Sequence, residues 1–209
     1  GQGRQRRTLT IDPFEQVEDW FNAISYAVTR PIVDSGRIGA RGSSFSGGHV
    51  VYVAAHDPRI RTIVSQVGSL DSRSKSGAIQ AEDTITQSNA YASALTTGHA
   101  SYPDAGSTSV GKLIGTPVGN KLLRWAPLEV AHRVTQPTLF ITAEHEELFS
   151  NSDNADAAYK RVSGPKSLKM LTDISHYGVY GTKRSEALTM TLNWFDKYLK
   201  ALSGEPGLR

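Results

Sequence analysis

The run Gly42-Ser43-Ser44-Phe45-Ser46-Gly47-Gly48 constrains this chain more than any other feature. It lies between Arg37–Arg41, which reads as a short strand, and the apolar stretch Val50–Ala55, which begins a helix. A serine on a tight strand-to-helix turn needs small residues two positions to either side, because larger side chains clash once the backbone is forced into a strained conformation. Gly42 and Ser46 meet that need around Ser44. Such a turn exposes the hydroxyl at a helix N-terminus. There partial positive charge favours a developing oxyanion, and the Phe45 backbone N–H would be one donor. A second frame competes, since Ser46 is flanked by Ser44 and Gly48. Ser44 is preferred because it sits just past the strand, where the corner should fall. The plain alternative is a Gly/Ser-rich connection that only lets helix and strand pack closely.

The rest of the chain supplies elements for a layered fold. Asp12-Pro13 with Glu15 is a helix start, with Asp12 as cap, Pro13 at the first helical position and Glu15 completing a capping box. Phe14, Val17, Trp20, Phe21, Ile24 and Val28 then recur at helical spacing, and Pro31 ends the helix. Ile60–Val67 reads as a strand rich in β-branched residues, and Thr138–Ala143 as another. Asp153–Val162 is predicted helical and Leu168–Leu171 a short strand. Leu188, Leu192, Phe195, Tyr198 and Leu199 mark a final amphipathic helix. Residues 71–135 differ: they are rich in Ser, Thr, Gly and Ala, lack a strong period, and read as an insertion of helix and loop, with order returning over Leu128–Val134. Strands alternating with helices predict an α/β fold with a mostly parallel sheet and helices on both faces.

Composition narrows the function classes. At 209 residues, one domain with a real core is expected. Net charge is +3, from 23 basic and 20 acidic side chains, too balanced to argue for nucleic acid. Arg4, Arg6 and Arg7 read as a solvated terminal cluster. No apolar run approaches the ~18 residues needed to span a bilayer. The polar start reads as no signal peptide, which favours the cytoplasm. Cysteine is absent, so a thiol nucleophile and disulfides are excluded. No cofactor is expected: no Gly-x-Gly-x-x-Gly follows a strand, and Gly115–Lys121 lacks the spacing of a phosphate loop. No metal is expected either, since His145-Glu146-Glu147 has no obvious third ligand and no His-Glu-x-x-His occurs.

Three segments together resemble the α/β-hydrolase superfamily, and most of all its dienelactone-hydrolase, prolyl-peptidase-like and acyl-peptidase-like branches. They are Arg37–Gly48, Gln136–Glu147 and Ile174–Gly178, in the family order of nucleophile, acid and histidine. The resemblance implies one hydrolase domain over 1–209, with 71–135 as a lid-like insertion. In such families the acid follows the strand matching Thr138–Ala143. Glu146 is the best match, with Glu147 and Asp153 as alternatives, although aspartate is commoner there. His176, between the last strand and the final helix, matches the histidine loop. His145 is the reserve base, His49 and His56 belong to the helix after the turn, His99 to the insertion, and His132 to the surface.

The implied chemistry is acyl transfer. Ser44 attacks an ester, thioester or amide carbonyl, His176 moves the proton, and Glu146 holds the imidazole. Tyr91, Tyr102 and Trp125 in the insertion are candidate pocket walls, with ordinary core packing an equal alternative. The expected partner is a small ester or acyl substrate. In the family, strands precede the one holding Ile38, and a loop among them supplies a second oxyanion donor. Those strands are not read here, so the expectation is an α/β-hydrolase truncated at the N-terminus, either a fragment or a chain whose missing strands another chain supplies, with an exposed sheet edge through which copies associate. Alternative readings are a catalytically silent fold relative that binds small molecules and an interaction module using that edge.

Overall fold

The computed structural model describes residues 10–73, 81–99, 109–110, 113–114 and 116–200. The arginine-rich start, Tyr102 and the Tyr91 side chain lie outside the described residues. Along the chain run β1 (Thr10–Ile11), α1 (Pro13–Ala27), β2 (Ile38–Ser43), α2 (Phe45–His56), β3 (Ile60–Gln66) and α3 (Ala81–Thr96). They are followed by β4 (Ser109–Val110), β5 (Leu113–Ile114), β6 (Thr116–Pro117), α4 (Gly119–Leu122), β7 (Thr138–His145), α5 (Ala155–Arg161), β8 (Lys166–Ser175) and α6 (Arg184–Leu199). The chain divides into two compact units, one of residues 1–19 and 72–125, the other of residues 20–71 and 126–209.

The larger unit contains the expected parallel sheet, in the order β2-β3-β7-β8 with every pairing parallel. Side chains alternate across it, so each strand serves two layers. Val64, Leu139, Ile141, Ala143 and Leu171 form one buried layer with Ala187, Met190, Trp194 and Phe195 of α6. On this side the Trp194 indole N–H donates to Thr62 Oγ1 at 2.9 Å. The other layer belongs to α2 and α5: Ser65 Oγ donates to the Gly47 carbonyl at 3.0 Å, and Phe140 meets Tyr159 edge-on with ring centroids 6.5 Å apart, within the range of about 4.5–7 Å typical of such pairs. Helix α2 is apolar nearly all round because Val50, Val51 and Val53 are all fully buried. Each such side chain contributes roughly 1.5–3 kcal/mol.

Two predicted boundaries shift. Helix α2 begins at Phe45 rather than Val50, because Gly47 and Gly48 form its first turn instead of a loop. Glycine is required there by proximity: a Cβ on Gly47 would lie 2.6 Å from Gly68 Cα. Strand β8 has ten residues, where only Leu168–Leu171 stood out. It lies at the edge of the sheet with many exposed positions, so Lys169, Thr172 and Asp173 hide its pattern. Leu128–Val134, where order was expected to return, lies in two short 3₁₀ turns, at Pro127–Glu129 and Ala131–Arg133, ahead of β7. Strand β2 is the other edge among the described residues.

The smaller unit contains the predicted cap of α1. Asp12 Oδ1 accepts from the N–H groups of Phe14 at 3.0 Å and Glu15 at 3.3 Å. Its second oxygen pairs with Lys121. Trp125 is 1% exposed and meets Phe14 edge-on at 5.6 Å, so it is a core residue of this unit.

Candidate active site

The carboxyl ends of parallel strands are where open α/β sheets present chemistry. Here the ends of β2, β7 and β8 deliver Ser44, Glu146 and His176. All three belong to the larger unit.

Ser44 is the corner between β2 and α2, with φ 57° and ψ −124°, a conformation that a non-glycine residue rarely adopts. The corner is tied on both sides: the Ser44 N–H donates to the Gln66 carbonyl at 2.9 Å, and the Ser44 carbonyl accepts from Gly47 at 2.9 Å and Ser69 at 3.1 Å. Gly42 explains why small residues flank it, since a Cβ there would sit 1.9 Å from the Ser46 carbonyl oxygen. The competing frame puts Ser46 inside α2, where its hydroxyl lies 3.4 Å from His49 Nδ1. The strain falls on Ser44, not Ser46. Val67 carries a second strain, at φ 39°, in the segment that brings Ser69 back to the corner.

His176 begins the 3₁₀ turn that follows β8. Its Nε2 lies 3.0 Å from Ser44 Oγ, and its Nδ1 lies 2.9 Å from both carboxylate oxygens of Glu146. The imidazole and the Glu146 carboxylate are 1% and 2% exposed, so the pair is sealed from bulk water. A carboxylate only accepts. Nδ1 therefore carries the hydrogen, and the Nε2 lone pair faces the serine hydroxyl. Phe149 and Tyr177 stand edge-on to the imidazole, with centroids at 5.2 and 5.1 Å.

The other predicted acids and histidines take different places. Glu147 Oε2 accepts the His176 backbone N–H at 2.7 Å, so it fixes the chain rather than the ring. Burial raises the pKa of Glu147, but hydrogen bonds from the N–H groups of His176 and Glu147 and the Ser175 hydroxyl outweigh it, and the net shift is downward. Asp153 is exposed and accepts from the Ser152 hydroxyl at 3.3 Å. His145 is exposed and 3.9 Å from Glu144. His49 is 3% exposed, and burial lowers its pKa to about 4. Among the described residues no cluster of three or more His, Asp and Glu side chains could hold a metal ion.

Several supporting residues escape a sequence reading. Asn154 precedes α5 and looks like a helix cap, yet its side chain makes no capping bond. Its Oδ1 instead accepts from Leu70 at 2.7 Å and Asp71 at 3.1 Å, and its Nδ2 donates to the Ser150 carbonyl at 2.9 Å. It thereby joins the segment after β3 to the loop that carries Glu146. Glu144 Oε2 accepts the N–H of Asp173 at 2.9 Å, where φ is 60° and the β7–β8 register shifts. Partners 29 and 84 residues apart leave no local signature.

Residues 8–162 match the family described as X-Pro dipeptidyl-peptidase (S15 family). The chain belongs to this family. The S15 match covers the corner at Ser44 and the loop of Glu146, and stops before His176. As an S15 member the chain is a hydrolase of the α/β type. It is similar to an uncharacterized 31.7 kDa protein in the traX-finO intergenic region of Escherichia coli, 26% identical over 218 residues, covering 90% of this chain and 74% of that protein. It is also similar to the thiohydrolase aneE of Aspergillus aculeatus, 21% identical over 204 residues, covering 81% of this chain and 64% of the relative. Among solved structures the α/β hydrolase GrgF from Penicillium sp. sh18 superposes with a TM-score of 0.73 at 16% identity, over 95% of this chain and 76% of that one. At that identity the likeness concerns the fold alone. Among the described residues no helix of this S15 chain is long and apolar enough to cross a membrane.

Proposed function

We propose that this S15 member is a serine hydrolase of carboxylic esters or thioesters that works through an acyl-enzyme, with Ser44 as nucleophile, His176 as base and acid, and Glu146 as the orienting carboxylate. The observation that carries the reading is the 3.0 Å separation of Ser44 Oγ from a buried imidazole whose far nitrogen faces a buried carboxylate.

Each step follows from the donors and acceptors present. The Ser44 hydroxyl adds to the substrate carbonyl carbon as its proton passes to His176 Nε2. The imidazolium is stabilised by Glu146, and the oxyanion is received by the Phe45 N–H at the start of α2. Collapse breaks the bond to the leaving group, which takes the proton from Nε2. Water then repeats the sequence on the acyl-serine. Alkoxides and thiolates leave more readily than amines, which favours esters and thioesters. The similarity to a protein named as a thiohydrolase supports that substrate class.

The test combines turnover of a short-chain aryl ester and an acyl thioester with labelling by a fluorophosphonate probe. Wild type should turn over at least one substrate and carry the label on Ser44. Ser44→Ala should lose both, with turnover down at least about a thousandfold. A label on Ser46, or turnover that survives Ser44→Ala, would refute the assignment.

A further inference from the structure

We propose that the Tyr180 hydroxyl is a substrate-facing hydrogen-bond donor, aimed by a one-way relay that starts at the Arg41 guanidinium. The relay lies on the α6 side of the sheet, at the carboxyl ends of β2 and β3. Arg41 Nη2 donates to Gln66 Oε1 at 2.7 Å, Gln66 Nε2 donates to Ser43 Oγ at 2.9 Å, and Ser43 Oγ lies 2.7 Å from the Tyr180 hydroxyl. Ser43 directly precedes the strained Ser44, and the Tyr180 ring centroid is 6.3 Å from that of His176.

The direction of the relay follows from which groups can accept. A guanidinium has no acceptor, so the Gln66 amide must turn its oxygen to Arg41 and its nitrogen to Ser43. Ser43 then accepts from Gln66 and has one hydrogen of its own, and the remaining partner among the described residues is Tyr180. If Ser43 donates, the hydrogen left over is that of Tyr180, a residue that is 46% exposed. The reverse arrangement would leave the surplus hydrogen on a partly buried serine with no acceptor, which is the costlier place for it. A chain of donors headed by a cation polarises each successive O–H, so the last one is a strengthened donor. The relay also gives a role to Arg41, whose Nε is buried without a hydrogen-bond partner, and accounts for a fully buried Gln66.

The inference rests on the hydrolase reading and deepens it. The ligand group is an acceptor oxygen of the acyl substrate, either the reacting carbonyl or one further along the acyl chain. Tyr180→Phe and Ser43→Ala should be compared with wild type on 4-nitrophenyl butyrate and 4-nitrophenyl methoxyacetate, which match in length while the second carries an added ether oxygen. A donor to the reacting carbonyl lowers kcat for both substrates by about a hundredfold in Tyr180→Phe. A donor to the chain oxygen raises KM for methoxyacetate alone, by about three- to tenfold. Either result assigns the donor and the oxygen it serves. A change under about twofold on both substrates overturns the proposal. The relay predicts that Ser43→Ala reproduces the loss and that the double variant is no slower than Tyr180→Phe; additive losses overturn the relay. The phenylalanine ring keeps the packing beside His176, and thermal melting checks that each variant folds. Wild type that hydrolyses neither ester and takes no label at Ser44 sinks the hydrolase reading and this inference with it. Wild type that does both while Tyr180→Phe is unaffected sinks the inference alone.

Discussion

Glu146 and Glu147 are neighbours of the same type, and the structure gives them different work. Glu146 meets the imidazole through both oxygens, while Glu147 holds the backbone N–H of the same residue. A glutamine at 146 keeps the shape but offers an NH₂ to a nitrogen that must donate, which disfavours the productive tautomer. Glu146→Gln should therefore lower kcat by about 10³–10⁴ with little change in melting temperature. Glu147→Gln keeps an oxygen for the His176 N–H and should cost less than about tenfold. Steady-state kinetics with thermal melts decide this, and equal kcat losses would mean the roles are shared. The resemblance favoured Glu146 and kept Glu147 as an alternative. Both follow the end of β7 directly, and the path of the loop decides which side chain points inward.

At the scale of elements, the turn carrying His176 depends on tight local geometry. Gly178 leaves no room for a side chain, since a Cβ would sit 2.4 Å from Ile174 Cβ. Ile174 and Val179 are both in the core layer beneath α6, so the neighbour cannot retreat cheaply. Gly178→Ala should displace the imidazole from Ser44 Oγ and lower kcat by at least about tenfold, beyond what its loss of stability explains. Comparing kcat well below the melting transition with the melting temperature itself separates the two effects. The extent of β8 was hidden for a related reason. An edge strand has partners on one side only, and its exposed positions tolerate Lys169 and Thr172, so alternation fades although the ladder continues. Strand β7, between β3 and β8 and buried for its first six residues, was plain from its apolar run.

At the scale of the molecule, His49 links folding to pH. The folded chain holds it neutral down to about pH 4, whereas an unfolded histidine gains its proton near pH 6.5. Between those values the unfolded state binds more protons, so acid favours unfolding and stability falls as pH drops through that window. The full effect is at most about 3 kcal/mol, reached near and below pH 4. Denaturant unfolding at pH 7 and pH 5 should show a smaller difference in His49→Leu than in wild type. An unchanged difference would mean that His49 does not couple to folding. Glu147 acts at lower pH: its depressed pKa contributes stability that is lost only as pH falls through the carboxylate range.

Short-range chemistry made several features of this protein legible without coordinates. Small residues mark a corner that must hold Ser44, Asp12 and Pro13 start α1, and β-branched runs announce β3 and β7, because each depends on neighbours only a few positions away. Tertiary structure alone decided that Glu147 holds the His176 backbone N–H, that Asn154 joins two loops instead of capping its helix, and that Arg41, Gln66, Ser43 and Tyr180 form one line. Those bonds join groups 23 to 137 residues apart, and only the closing of the parallel sheet makes them neighbours.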